Sequence, residues 1–163
     1  MVDDNTRSIR AVYDCNIFVQ AALDEDGPAF ACLLLAESGS VELAISAEVL
    51  DEVHSVLNRP KLRRRYRQLT QDRIDAFLDR VAQTSKLIPV VNRVFIYERD
   101  PKDQLYVDLA DTVAATHLVS RDRDLLDLMT VQTPVGRDFR QRFPHLLIVD
   151  PVGFLDDVRG SMK

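Results

Sequence analysis

The chain has 163 residues, 46% hydrophobic and 29% charged, with no Trp and a formal net charge of -5. That is the make-up of one soluble domain spanning residues 1–163, and it excludes a disordered or fibrous protein. It also excludes a protein that coats nucleic acid by bulk charge, though a local basic patch stays possible. Five scattered glycines, Gly27, Gly39, Gly136, Gly153 and Gly160, leave no GxGxxG loop, no P-loop and no GxSxG elbow. The acids are skewed: 20 of the 26 are Asp, which favours caps, turns and ion sites over helix interiors.

In chain order, the polar start MVDDNTRSIR lacks the apolar stretch of a secretory leader. Ala11-Val12-Tyr13 reads as a buried strand ending on Asp14. After a turn near Asp24 to Gly27, Pro28 opens a helix carrying Phe30, Leu33 and Leu34, with Gly39 at its end. Val41 to Ile45 is the next strand, and Ser46 caps a helix running through Leu57 and stopping before Pro60. Thr70 begins another helix, with Ile74, Phe77, Leu78 and Val81 on one face. Leu87 to Val91 is a third strand. Asp100-Pro101 starts a helix that reaches about Ala115, followed by a strand over Thr116 to Ser120 and a short helix around Leu125 to Met129. Thr130 to His145 reads as an insertion before a last strand, Leu146 to Val149, and a closing helix after Pro151.

Strands alternating with helices imply a three-layer α/β/α sandwich with a mainly parallel central sheet. The longest apolar run, Ala29 to Ala36, is too short to span a bilayer, so no membrane contact is expected. Cys15 and Cys32 lack CxxC spacing and read as buried thiols of a reducing compartment, which points to the cytoplasm.

Carboxylates gather at four places: Asp14-Cys15-Asn16, Glu52, the run Arg99-Asp100-Pro101-Lys102-Asp103, and Ser120-Arg121-Asp122-Arg123-Asp124. Each has a bland reading. Asp100 is explained as a helix cap, Asp103 as a partner of a helix dipole, Asp122 and Asp124 as caps of the next helix, and one of Asp51 and Glu52 as solvated. Together they read differently, because neighbouring carboxylates repel unless a cation compensates them, and oxygen-only ligands select Mg²⁺ or Mn²⁺ over Zn²⁺. His54, His117 and His145 form no paired ligand motif and read as solvated or core residues.

The series VYDCNIFV, SAEVLDEVHSVLNRPKL and ERDPKDQLYVDLADTVAATHLVSRDRDLLDL resembles the PIN-domain family over about residues 10 to 128. Within it, the chain looks most like the VapC-like toxin components of bacterial toxin–antitoxin pairs. The resemblance implies a divalent-metal-dependent ribonuclease with an acidic site at Asp14, Glu52, Asp103 and Asp122, using Mg²⁺ or Mn²⁺. Asn16 and Ser120 match supporting polar positions and Asp124 a further acidic one. It also implies a single-stranded RNA substrate, a cognate antitoxin and a homodimer. Whether one metal or two would bind stays open.

One basic concentration, Arg59, Lys61, Arg63, Arg64, Arg65 and Arg67, suits either a grip on RNA phosphates or a solvated face that docks an acidic partner. Competing readings are a housekeeping RNA-processing nuclease, a phosphatase of the haloacid-dehalogenase type, and a non-catalytic binding module on the same fold. The phosphatase chemistry wants a second Asp where the sequence has Asn16.

Overall fold

The computed structural model describes residues 8–162. Five parallel strands form its sheet: β1 (Ile9–Tyr13), β2 (Val41–Ser46), β3 (Lys86–Ile88), β4 (His117–Val119) and β5 (Leu147–Val149), in the order β3-β2-β1-β4-β5. The chain builds outward from β1 through β2 to β3, then returns to the other side of β1 with β4 and β5. Parallel crossovers are right-handed, so this reversal puts the two sets of connecting helices on opposite faces of the sheet. The α/β/α class expected from the alternation of elements is the observed one.

Nine α-helices occur among the described residues: α1 (Cys15–Leu23), α2 (Pro28–Glu37), α3 (Ala47–Leu57), α4 (Pro60–Arg65), α5 (Gln71–Thr84), α6 (Gln104–Thr112), α7 (Arg123–Leu126), α8 (Pro134–Arg142) and α9 (Pro151–Ser161). Several start where the sequence signals them. Ser46 and Thr70 accept the N–H of Val49 and Arg73, and Pro28 stands at the first turn of α2. Gly39 at φ +84° lets the chain leave α2 for β2.

Four elements differ from expectation. α1 is apolar almost all round, with Cys15, Ile17, Phe18, Val19 and Ala21 buried, so it carries no helical stripe to read. β3 stops at Ile88, before Pro89, which cannot donate to a ladder. After Pro101–Asp103, a 3-10 turn, α6 ends at Thr112 rather than near Ala115, because Ala114 turns left-handed at φ +52°. The insertion contains α8, whose Phe139 packs with Phe143 and with Phe95 from the segment preceding α6. Gly136 is required there, since a Cβ would fall 1.8 Å from the Thr130 carbonyl oxygen.

The core follows from the sheet. Ala11, Val12 and Tyr13 of β1 are almost fully buried. Tyr13 packs against Phe18 and Phe154 and donates its hydroxyl to the Cys32 carbonyl at 2.8 Å. Both cysteines are free and buried, and burial pushes each thiol up to about 12. His117 is a core residue whose ring nitrogens meet Thr116 Oγ1 and Asp157; burial depresses its basicity. Among the described residues no helix is long and apolar enough to cross a membrane.

Candidate active site

β1 and β4 are adjacent strands at the point where the strand order reverses, which is where open parallel sheets gather their ligand-binding groups. Tyr13 pairs with Val119, so one further residue of register sets Asp14 beside Ser120. The Asp14 N–H continues the ladder to the Val119 carbonyl at 3.0 Å. Ser120, with no exposed surface, donates its hydroxyl to Asp14 Oδ2 at 2.5 Å and accepts the Asp122 N–H at 2.9 Å. Asp14 caps α1 by accepting the Asn16 N–H at 2.7 Å. Asn16 thus meets Asp14 through its backbone, and its own side chain is exposed.

Asp122 caps α7 by accepting the Asp124 N–H at 2.9 Å, and Asp100 caps the 3-10 turn by accepting the Lys102 N–H at 3.1 Å. The capping readings hold for Asp100 and Asp122, whereas Asp124 lies in the first turn of α7 and supplies the capped N–H; each side chain has an oxygen to spare. Asp100, Asp103, Asp122 and Asp124 each present one oxygen, all lying within 4.8 Å of one another. Asp103 is the deepest, 4% exposed, and its Oδ2 has no hydrogen-bond partner. Burial first, then repulsion from Asp122, Asp100, Asp14 and Asp124, raises its pKa to about 8. Burial likewise raises Asp14, against the opposing pull of its bonds from Ser120 and Asn16.

Glu52, half-buried on α3, lies outside this group of four. It accepts the Tyr106 hydroxyl at 2.9 Å, and the same hydroxyl accepts the Cys15 N–H at 3.1 Å. Glu52 is thereby tied to the residue following Asp14, and its charge is felt at both Asp14 and Cys15. Asp51, its neighbour, is exposed. Of the residues singled out in the sequence, Asp103, Asp122 and Asp124 come together directly, Asp14 joins through Ser120, and Glu52 joins through Tyr106.

Sequence reasoning passed over Asp100 as a member of the group, and also Tyr106, Tyr97 and Arg99. Tyr97 donates its hydroxyl to the Asp124 carbonyl at 2.9 Å. Its own N–H goes to Gln104 Oε1 at 2.6 Å, while Val94 and Phe95 both donate their N–H to Asp108 Oδ1 at 2.9 Å and Asn92 donates to Thr112 Oγ1 at 2.9 Å. Gln104, Asp108 and Thr112 stand four apart on one face of α6, so a single polar stripe holds the whole extended strap over residues 92–97. The only sequence signal was that spacing.

The basic run forms α4 and its flanks. Arg59, Lys61, Arg64, Arg65 and Arg67 are exposed, and Arg63 reaches the Leu69 carbonyl and Gln71. Tyr66 is half-buried, with the Arg65 guanidinium 5.5 Å from its ring centre. Arg59 is close enough to oppose the upward shift of Cys15, so this end of the run shares the electrostatic surroundings of Asp14 and Glu52.

These donors fit a hard divalent cation. Four carboxylates converge, Asp103 among them has a buried, unpartnered Oδ2, and no nitrogen or sulfur ligand joins the group. The structure therefore defines a parallel α/β/α protein with a carboxylate cluster at the switch point of its sheet. The PIN domain family model matches residues 10–124, and the chain belongs to that family. A similar fold occurs in the crystal structure of VapBC2 from Rickettsia felis bound to a DNA fragment from their promoter. The TM-score is 0.51 at 20% identity, over 87% of this chain and 98% of that one. No curated protein shows significant sequence similarity to the chain.

Proposed function

We propose that the protein is a divalent-metal-dependent endoribonuclease that hydrolyses phosphodiester bonds in single-stranded RNA, and that it is the toxin of a toxin–antitoxin pair. The observation that carries this reading is the convergence of Asp100, Asp103, Asp122 and Asp124, together with the buried, unpartnered Oδ2 of Asp103. Asp14, Asp103 and Asp122, with Glu52 and Asp124 beside them, would hold Mg²⁺ or Mn²⁺. Such an ion lowers the pKa of bound water and offsets charge on a phosphoryl group.

The chain's own residues do the rest. Ser120 orients Asp14 and steadies the turn to Asp122, and Tyr106 fixes the rotamer of Glu52. Arg59 and the exposed arginines of α4 would draw the RNA backbone toward the acidic pocket, which makes binding salt-sensitive. The toxin assignment rests on the motif resemblance and the likeness to the VapBC2 structure. With it come a cognate antitoxin, a homodimer and a cytoplasmic location.

The test is cleavage of labelled single-stranded RNA by the purified protein in Mn²⁺ or EDTA, beside Asp14→Asn. Cleavage in Mn²⁺ alone, lost in Asp14→Asn, is expected. Cleavage in EDTA, or turnover of a small phosphate ester with RNA left intact, would refute the reading. Growth arrest on expression, relieved by the same substitution, tests the toxin role separately.

A further inference from the structure

Of the five ion pairs among the described residues, Arg10–Glu42, Arg80–Glu37 and His117–Asp157 lie away from the acidic pocket; the other two belong to Arg99. Its Nε stands 2.5 Å from Asp124 Oδ1 and its Nη2 stands 3.1 Å from Asp127 Oδ2. Asp124 belongs to the four convergent carboxylates; Asp127 does not. Arg99 is also held from both sides along the chain. Two residues before it, Tyr97 is bonded to Gln104 and to the Asp124 carbonyl, and the residue after it, Asp100, caps the 3-10 turn. The guanidinium is therefore delivered to Asp124 by a strap with fixed register, although its side chain remains 51% exposed.

We propose that Arg99 is an internal counter-ion that competes with a divalent cation for Asp124 and so sets the pocket's cation affinity. This rests on reading the carboxylate cluster as a cation site. A guanidinium in contact with Asp124 cancels one of the formal charges that would attract the ion. An entering cation must share Asp124 with a positive group or push that group aside, and either course opposes binding. Because the Arg99 fork grips two carboxylates at once, displacement from Asp124 leaves it tethered to Asp127 at the rim of the pocket. Where the ion pushes the guanidinium aside, loading and release are one event.

The sign of the effect separates this role from a structural one. A residue that merely positioned Asp124 would weaken cation binding when removed; a competitor strengthens it. The experiment is calorimetric titration of Mn²⁺ into the full-length wild type, Arg99→Gln and Arg99→Lys at one ionic strength. Arg99→Gln is expected to bind Mn²⁺ roughly five- to tenfold more tightly, from the Coulomb interaction of a half-exposed charge a few ångströms away. Arg99→Lys, which keeps the charge though not the fork, is expected to stay within about twofold of wild type. Equal or weaker binding by Arg99→Gln, with the wild type binding normally, overturns the proposal alone, as does equal tightening in both variants. No binding by any of the three overturns the cation reading itself. Thermal melts of each variant confirm that the fold is retained.

Discussion

Ser120 Oγ and Asp14 Oδ2 are 2.5 Å apart, although 106 residues separate them in the chain. The contact exists because β1 and β4 are parallel neighbours whose register runs one residue past their last ladder pair. Two strand ends therefore share one fully buried hydroxyl, and that hydroxyl also takes the Asp122 N–H.

Replacing Ser120 by Ala removes both bonds and leaves the Asp122 N–H and an Asp14 oxygen without this partner. The cost expected is about 1–3 kcal/mol, to be read from urea unfolding. The same bond favours ionised Asp14, so its loss moves the acid limb of any RNA-cleavage pH profile toward higher pH.

The raised carboxyl groups give the metal-free protein an unusual pH dependence. Asp103 is lifted from 3.8 to about 8, and Asp14 is also raised. The folded state then binds more protons than the unfolded chain between those values, so stability falls as pH rises through that window. In EDTA, Tm is expected to drop by roughly 4–8 °C between pH 5 and pH 8, equivalent to about 2 kcal/mol. Asp103→Asn should flatten that slope, and millimolar Mg²⁺ should lift Tm most at the alkaline end. Differential scanning calorimetry across the range checks all three outcomes.

How much of this was legible in the sequence depends on whether the signal was local. Asp14, Ser120 and Asp122 sit at strand ends, and a short apolar run followed by a carboxylate marks such a place. Asp103 was legible from the Asp100-Pro101 helix start. Asp100 was read only as a cap, because capping uses one oxygen and the sequence says nothing about the other. Tyr106, Tyr97 and Arg99 act on residues 25 to 91 positions away, and the strand order that brings them close is not written in any local pattern. α1 was missed because a helix buried on nearly every side shows no periodicity.

Asp108 is a buried carboxylate whose work is structural. Its Oδ1 accepts two N–H groups from the strap, Val94 and Phe95, at 2.9 Å each. Asp108→Ala strands those donors and should cost about 2–3 kcal/mol. Asp108→Asn keeps an acceptor oxygen and should lose markedly less. Hydrogen exchange should quicken over residues 92–97 in the Ala variant while the amides of β1 keep their protection. Uniform loss of protection through the sheet would contradict this account.

Tyr106 offers the sharpest separation of stability from chemistry. Its hydroxyl accepts the Cys15 N–H and donates to Glu52 Oε2, while the residue is 4% exposed. Tyr106→Phe preserves the packing but orphans a buried N–H, for which about 1–2 kcal/mol is expected in urea unfolding. It also frees Glu52 to turn toward solvent, since that residue is only half-buried. If Glu52 serves the proposed reaction from a fixed rotamer, RNA cleavage should fall at least about tenfold, the usual order when an outer-shell partner of a ligand is lost. Assays are run well below the lowered Tm, so unfolding does not contribute. Glu52→Gln in the same background decides the matter: Tyr106→Phe acting through Glu52 makes the double variant no worse than Glu52→Gln alone, whereas independent effects would multiply.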